Sequence, residues 1–373
     1  MQIADFELER FFAKYEFAVR HLLCASDLEG IGMTDLLAMA DAETAALWAD
    51  LRLGYTETLG HPLLRREIAA LYETVTPDDV VVFSGAGEAI FAVLSVHLEP
   101  GDHAIVVWPA YQSLHEVARA AGADVTLHEL RAETGWAIDV DLLRTQVTPR
   151  TRLIVVNAPH NPTGALPDAA TYRAIAAIAA EAGATFLSDE VYRYLEFDPA
   201  DRLQAGADMG PHGVSIGVMS KSFALAGLRI GWLATRDARL LDAAARFKDY
   251  TTICASAPAE VLALIALRAR DRVLGRSRAI VEANMALLDG FFERQGDRFT
   301  WVRPRGGSIA FPSLVGPVPI ERFTQDLLDA RGVLLAPGSI FGHPGNHFRI
   351  GFGRETMPAA LAELEAFAAR TLG

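Results

Sequence analysis

The feature that most constrains the fold is a series of short apolar runs, rich in β-branched residues, that alternate with segments of helical pattern. Six runs have this composition: VVVF at 80–83, AIVVW at 104–108, LIVVN at 153–157, TFLS at 185–188, VSIGVM at 214–219 and IGWLAT at 230–235. Each run is continuously apolar, as is typical of a strand buried on both faces. Strands that alternate with helices favour a mostly parallel sheet covered by helices on both sides. The sequence therefore predicts an α/β fold.

The pattern changes towards the C-terminus. Only residues 220–229 separate the last two runs, which predicts an irregular or antiparallel step between them. After about Leu262, long helical stretches, a few short strands and a final helix indicate a second, α+β domain that N-terminal residues join. We expect residues 1–45 to form an N-terminal arm and part of the small domain, 46–265 the large domain, and 266–373 the small C-terminal domain.

Polar or glycine-rich segments follow five of the six runs. They are SGAGE at 84–88, PAY at 109–111, APHNPTG at 158–164, DEVY at 189–192 and SKSF at 220–223. In open parallel sheets, ligands bind beyond the carboxyl ends of the strands. We therefore expect these segments to meet at one edge of the sheet and to form a single site.

Lysine chemistry in this chain has only three candidates, Lys14, Lys221 and Lys248. Lys221 follows an apolar strand in a tight turn, where partial burial would lower the pKa of its amine. A neutral amine is what forms a Schiff base with an aldehyde. The alternative is a lysine at a strand end that points to solvent.

A cluster of groups suited to an anion surrounds this lysine. Gly85, Ala86 and Gly87 begin a predicted helix, where free backbone N–H groups and the helix dipole favour a phosphate. Glycine is also common in strand-to-helix turns for backbone reasons alone. Ser220 and Arg229 could add a hydroxyl and a guanidinium to the same phosphate, although Arg229 could equally form a surface ion pair.

The remaining strand-end side chains suit an aromatic ring. A carboxylate at Asp189 is costly after a buried run unless it meets a cation, such as a protonated pyridine nitrogen, or caps a helix. Tyr192 and Asn161 could donate to a phenolate oxygen, and Tyr111 could stack on the ring. Near the C-terminus, Arg349 suits bidentate capture of a carboxylate, or else lies on a wet edge strand. Together these groups describe pyridoxal 5′-phosphate (PLP) beside a carboxylate substrate.

Composition excludes other classes of protein. The net charge of −13 argues against a non-specific nucleic-acid binder. The N-terminus has no uninterrupted apolar core typical of a signal peptide, and the apolar stretch at 174–180 is far shorter than the ~20 residues that span a bilayer. Two cysteines, Cys24 and Cys254, are typical of a reducing compartment. We therefore expect a cytoplasmic protein without membrane or nucleic-acid partners, and we assign no metal site.

The motifs and their order resemble those of the class I and II aminotransferases, which are PLP-dependent enzymes of fold type I. The matching segments are NPTG at 161–164, DEVY at 189–192, SKSFALAGLRIGW at 220–232, PGSIFG at 337–342 and FRIGF at 348–352. The resemblance extends from about Leu53 to the C-terminus. It implies a large domain with a mostly parallel, seven-stranded sheet flanked by helices, and a smaller α+β domain formed by both chain ends.

The resemblance also implies a role for each matching residue. Lys221 would form the Schiff base with the cofactor and move the substrate α-proton, with Asp189 and Tyr192 as further catalytic residues. Arg349 would bind the α-carboxylate, and Asn161 would also contact the substrate. The implied cofactor contacts are the pyridine nitrogen for Asp189, the phenolate oxygen for Tyr192 and Asn161, ring stacking for Tyr111, and the phosphate for Gly85, Ala86, Gly87, Ser220 and Arg229. Tyr55 would reach the phosphate of a neighbouring subunit, which implies a homodimer with shared active sites.

The N-terminal part departs from the common aminotransferases and leaves the reaction open. CASDLEGIGM at 24–33, FELERFF and LGYTETLGHPLLR are similar to capreomycidine-synthase-type enzymes, which process a hydroxylated arginine by elimination and ring closure. Because this segment lines the substrate pocket in the fold, Gly30 is a candidate substrate-binding residue. The leading hypothesis is amino transfer between an amino acid and a 2-oxo acid. The alternatives are a PLP-dependent lyase or cyclase acting at the β- or γ-carbon, and a non-catalytic regulatory module, which would need a DNA-binding segment.

Overall fold

The structure is a computed structural model that describes residues 2–372. The strands are β1 His21–Leu22, β2 Val80–Phe83, β3 His103–Trp108, β4 Asp124–Glu129, β5 Thr151–Asn157, β6 Thr185–Asp189, β7 Gly213–Val218, β8 Gly231–Thr235, β9 Phe299–Thr300, β10 Ile309–Ala310, β11 Ser313–Leu314, β12 Val333–Leu334, β13 Ala336–Pro337 and β14 Phe348–Gly351. The helices are α1 Glu7–Tyr15, α2 Met33–Leu37, α3 Ala42–Ala49, α4 Pro62–Ala69, α5 Ala86–His97, α6 Ser113–Ala120, α7 Val140–Gln146, α8 Ala169–Glu181, α9 Ala238–Lys248, α10 Ala257–Arg268, α11 Arg270–Arg294, α12 Ile320–Arg331 and α13 Met357–Thr371. None of the helices in this range is long and apolar enough to cross a membrane.

A seven-stranded sheet forms the centre of the large domain, in the order β2-β8-β7-β6-β5-β3-β4. Neighbouring strands are parallel except for β8, which is antiparallel to both β7 and β2. The short connection between β7 and β8 causes this reversal, because a parallel crossover needs a dozen or more residues. The predicted α/β class and the antiparallel step are both confirmed.

Burial explains which strands the sequence predicts. All residues of β2, β6, β7 and β8 are buried, in agreement with their continuous apolar runs. The strand missing from the six runs is β4, which lies at the edge of the sheet beside β3 and is largely half-exposed or exposed. An edge strand pairs with a neighbour on one side only and is less buried than a central strand. Its sequence, DVTLHE, therefore has no continuous apolar run.

Both ends of the chain contribute to the smaller α+β domain. Strand β1 pairs in parallel with β12, so that His21 lies opposite Val333 and Leu22 opposite Leu334. Strand β14 is the middle strand of a three-stranded sheet between β10 and β13, and β9 pairs with β11. The fold class is thus as predicted, whereas the domain boundaries at residues 45 and 265 stay a prediction.

Lys248 joins a loop of the large domain to the central sheet. Its side chain is 0 % exposed, and its Nζ donates to the carbonyl of Val82 on β2 at 2.6 Å and to the carbonyl of Thr58 at 2.5 Å. This one amine thus satisfies a buried carbonyl and a partly buried carbonyl. Lys248 therefore has a structural role and does not belong to the strand-end site.

We expect Lys248→Met to lower the free energy of unfolding by about 2–4 kcal/mol, because it removes the donor to the buried carbonyl of Val82 and to the partly buried carbonyl of Thr58. Urea titration followed by circular dichroism measures the change. Lys14→Met is the matched control, since Lys14 is exposed on α1 and should cost less than about 0.5 kcal/mol. Equal effects of the two substitutions would contradict the structural role.

Candidate active site

A cavity of about 350 Å³ lies beyond the carboxyl ends of the central strands. Strand ends and the N-terminal segment both line it. The lining residues are Leu8, Glu9, Phe12, Glu16, Ala25, Ser26, Asp27, Ala86, Gly87, Ile90, Tyr111, Asn157, Asn161, Asp189, Val191, Tyr192, Val218, Ser220, Lys221, Ala226 and Arg229. The structure therefore brings residues from all five predicted strand-end segments to one cavity.

Lys221 is half-buried in the turn after β7, and its amine faces the cavity. Its Nζ donates to Ser26 Oγ at 2.8 Å. Burial lowers the pKa of Lys221 to about 8, although the negative charge of Asp27 partly opposes this effect. A substantial fraction of the amine is therefore neutral near neutral to mildly alkaline pH, as attack on an aldehyde requires.

Asp189 ends β6 with its carboxyl 3 % exposed. The backbone N–H of Val191 donates to it at 3.3 Å, and burial raises its pKa to about 7. No cationic side chain forms an ion pair with it within residues 2–372. A buried carboxyl of this kind fits a protonated ring nitrogen, whose charge would favour the carboxylate form.

Asn157 holds this edge of the sheet together, and sequence analysis missed it. Its Nδ2 donates to the backbone carbonyl of Asp189 at 2.9 Å, and its Oδ1 accepts from the backbone N–H of Asn161 at 2.6 Å. The two bonds fix the positions of Asp189 and Asn161 relative to each other. The only sequence signal for this role was the polar residue that ends an otherwise apolar run.

The start of α5 and Arg229 form a cradle of the size and charge that a phosphate needs. Gly85 has φ +88°, and a Cβ at this position would lie 2.6 Å from Arg229 Nη2, so only glycine lets the guanidinium approach the backbone. Arg229 Nη1 lies 3.5 Å from Ser220 Oγ. Around Gly87, a Cβ would meet no atom within 4 Å, which leaves open space above the helix N-terminus.

Arg349 lies on β14, the middle strand of its sheet, and is 0 % exposed. The alternative of a wet edge-strand arginine is therefore wrong. Its Nε donates to the carbonyl of Cys24 at 3.0 Å and its Nη1 to Asn161 Oδ1 at 3.2 Å. Its Nη2 has no acceptor within the described residues, so this buried guanidinium keeps a free donor for a carboxylate.

Two tyrosines complete the strand-end groups. Tyr192 is almost fully buried, and burial raises its pKa to about 12, so its hydroxyl stays protonated and able to donate. Tyr111 lines the cavity, where its hydroxyl donates to Glu9 Oε1 at 3.0 Å and its ring packs against Phe6 at 4.9 Å between centroids. Helix α1 thus covers the outer side of Tyr111.

Four predicted residues do not line the cavity. Gly85 and Arg349 adjoin it, next to Ala86 and against Asn161, whereas Gly30 and Tyr55 lie away from it. Gly30 is exposed and does not line it. Tyr55 is 88 % exposed and lines a separate surface depression with Leu51 and Gly54. The implied role of Tyr55 involves a second subunit, so its distance from this chain's cavity is compatible with that role.

The sequence predicted that the N-terminal segment lines the substrate pocket, but it named only Gly30 and not the residues that form this N-terminal wall of the cavity. Ser26 and Asp27 follow β1, and Glu9, Phe12 and Glu16 lie on or directly after α1. The last three are spaced three and four residues apart, which places them on one face of a helix. That spacing was visible in the sequence, but it does not reveal which surface the face covers.

The geometry can be compared with known proteins. The sequence profile of aminotransferase class I and II matches residues 22–364. The chain belongs to this family. Aminotransferases of class I and II depend on PLP, so the predicted cofactor is confirmed, and the groups around Lys221, Asp189 and Arg229 fit its aldehyde, ring nitrogen and phosphate.

Two relatives within this aminotransferase family illustrate its range. The chain is 32% identical over 295 residues to capreomycidine synthase of Streptomyces vinaceus. This alignment covers 79% of this chain and 75% of the relative. It is 30% identical over 332 residues to the arginine–pyruvate transaminase of Pseudomonas aeruginosa, covering 86% and 83%. The predicted similarity to both aminotransferases and capreomycidine-synthase-type enzymes is confirmed.

Solved structures agree with the fold type I assignment. A PLP-dependent aminotransferase from Streptococcus suis superposes with a TM-score of 0.93, at 31% identity and with 99% of each chain covered. The PLP-dependent cyclase OrfR superposes with a TM-score of 0.90, at 31% identity and with 99% and 98% covered. An aminotransferase and a cyclase therefore share this architecture almost equally.

We expect Lys221→Ala to abolish covalent attachment of the cofactor and to lower activity by at least about 100-fold, because the cavity loses its only amine that can also move a proton. Borohydride reduction followed by peptide mass spectrometry locates the attachment. Lys14→Ala is the control and should retain it. A labelled Lys14 or Lys248 peptide would contradict the assignment.

The lowered pKa of Lys221 predicts that capture of PLP by the cofactor-free protein accelerates with rising pH and levels off above about pH 8, since the neutral amine is the reactive form. Stopped-flow absorbance measures this rate. Asp27→Asn should move the midpoint to lower pH, because Asp27 stabilises the charged amine. Glu7→Gln, on the exposed side of α1, should not move it. A midpoint close to the ordinary lysine value of about 10.4 would disprove the effect.

Proposed function

We propose that the protein is an aminotransferase that moves an amino group between an amino acid and a 2-oxo acid. The observation that carries this proposal is a lysine of lowered pKa in the cavity together with a buried arginine, Arg349, whose Nη1 donates to Asn161 of the cavity wall and whose Nη2 has no acceptor among the described residues. The first suits proton transfer at a substrate carbon, and the second suits the carboxylate attached to that carbon. Family membership and the arginine–pyruvate transaminase relative support amino transfer.

The cofactor contacts proposed here follow the geometry of the cavity. Bound PLP withdraws electrons from the substrate Cα and so weakens its C–H bond. Asp189 would hold the ring nitrogen in its charged form, since its own buried carboxyl needs a cation. The other proposed contacts are Tyr192 and Asn161 with the phenolate oxygen, Tyr111 with the ring face, and Gly85, Ala86, Gly87, Ser220 and Arg229 with the phosphate.

The proton transfer is proposed for Lys221. Its Nζ would take the proton from the substrate Cα and would return it to the cofactor carbon that carries the aldehyde. Ser26 Oγ, at 2.8 Å, orients the amine, and burial increases its neutral fraction by lowering its pKa to about 8. Arg349 would fix the α-carboxylate, so that the Cα lies within reach of the lysine.

A lyase or cyclase reaction is the second candidate. It is favoured by the similarity to capreomycidine synthase and by the superposition with the PLP-dependent cyclase OrfR. Such a reaction also begins with removal of the α-proton, so Lys221, Asp189 and Arg349 would have the same roles. The two candidates differ in what happens at the β- or γ-carbon after that step.

A cytoplasmic homodimer with shared active sites is proposed as the working form. Its support is the exposure of large apolar side chains on neighbouring segments, Leu53, Tyr55 and Tyr250, which solvent alone does not favour. Thr56 Oγ1 donates to the carbonyl of Ala255 at 3.2 Å, so residues 53–56 and 250–255 are adjacent. Both cysteines are free, as a reducing compartment would maintain them.

Incubation with an amino acid in the absence of any 2-oxo acid separates the two candidates. For amino transfer, we expect release of one equivalent of 2-oxo acid per active site, after which the reaction stops until a second 2-oxo acid is added. Mass spectrometry and keto-acid assays measure the products. Repeated turnover with release of ammonia, or formation of a cyclised amino acid, would reject amino transfer in favour of the second candidate.

A further inference from the structure

We propose that the N-terminal wall of the cavity is a subsite for a positively charged group at the end of the substrate side chain, with Glu16 and Glu9 as its principal contacts. The proposal rests on the function proposed above, because it assumes a substrate carboxylate at Arg349. It adds the chemical class of the substrate, an amino acid with a terminal guanidinium or ammonium group. It also assigns specificity to α1, outside the strand-end motifs of the central sheet.

Three residues of the wall lie on one face of α1 and of the turn that directly follows it. Glu9, Phe12 and Glu16 are separated by three and four residues, and all three line the cavity. The carboxylates therefore flank the Phe12 ring. Helix α1 is held over the cavity by the bond from Tyr111 to Glu9 and by two bonds that Gln112 makes with the backbone of Asp5 and Glu7, at 2.7 and 2.9 Å.

The cavity has more carboxylates than cations, and the surplus lies on this wall. Four carboxylates line it, those of Glu9, Glu16, Asp27 and Asp189, against the two cations Lys221 and Arg229. The cofactor would take Asp189 and Arg229, and Lys221 would bind its aldehyde. Asp27 receives one charged bond, from Arg354 Nη2 at 2.8 Å. Once the cofactor is bound, the wall therefore has an excess of negative charge.

Glu16 is the clearest member of this excess. It is half-buried, and its carboxylate has no hydrogen-bond or ion-pair partner among the residues that the structure describes. Burial and the neighbouring negative charge of Asp27 both raise its pKa. A cationic ligand group would offset the repulsion between the Glu16 and Asp27 carboxylates. A partly buried carboxylate of raised pKa without a partner is typical of a binding site rather than of a solvated surface.

A second, independent feature points to a ligand beside the same wall. The guanidinium carbon of Arg349 lies 5.6 Å from the centroid of the Phe12 ring, and its buried Nη2 has no acceptor among the described residues. A substrate whose carboxylate pairs with Arg349 is therefore bound under the inner face of α1. Its side chain can extend along that face, where Glu9 and Glu16 meet a positive charge and Phe12 packs against the apolar stem.

The test uses two ligands that cannot react, desamino-arginine and desamino-citrulline, which keep the carboxylate and differ in whether the terminal group is charged. Calorimetry on the PLP-loaded enzyme gives both dissociation constants. We expect the charged ligand to bind at least about tenfold more tightly. In Glu16→Gln and in Glu9→Gln, this ratio should fall severalfold, while affinity for the neutral ligand should change less than about twofold.

Glu7→Gln is the matched control, because Glu7 is exposed on the same helix and does not line the cavity. It should leave the ratio unchanged. Equal affinities of the unaltered enzyme for the two ligands would overturn the subsite, as would an effect of Glu7→Gln equal to that of Glu16→Gln. If Glu16→Gln does not fold, Glu9→Gln decides. Since neither ligand has an amino group, the outcome is independent of whether the enzyme transfers amino groups.

Discussion

The arrangement of this molecule depends on one buried guanidinium. Arg349 lies on β14 of the small domain, donates to the carbonyl of Cys24 in the N-terminal segment, and donates to Asn161 beyond a strand of the central sheet. A buried charge of this kind is costly unless its donors are satisfied. Three distant parts of the chain must therefore meet correctly before the arginine is accommodated. The donor that stays free on Nη2 is the part of this junction that remains available to a carboxylate.

The central sheet could be predicted from the sequence to the extent that its strands are buried on both faces. The runs that became β2 and β6 are continuously apolar, and the structure buries all their residues. Strand β4 could not be predicted in this way, because its edge position leaves most of its residues partly exposed. The reversal at β8 could be predicted, since a short connection excludes a parallel crossover.

The site could be predicted where special residues directly follow such strands, as with Lys221 and Asp189. The individual residues of its N-terminal wall could not, although the sequence indicated that this segment lines the pocket. The amphipathic spacing of Glu9, Phe12 and Glu16 shows that one face of α1 is different from the other, but the tertiary structure decides that this face covers the cavity. The expected contact of Tyr55 with a neighbouring subunit's phosphate also lies outside what one chain contains, and the Tyr55 side chain is exposed to solvent here.

The burial of Lys248 has a practical consequence for work with this protein. Its amine is enclosed and already donates to two carbonyls, so reagents in solution cannot reach it in the folded chain. Among lysines, only Lys14 on the outer surface and Lys221 in the cavity remain accessible. In the cofactor-free protein, an amine-directed reagent would therefore modify Lys221, and bound cofactor would protect it. The only other lysine to react would be Lys14, besides the terminal amine of the chain.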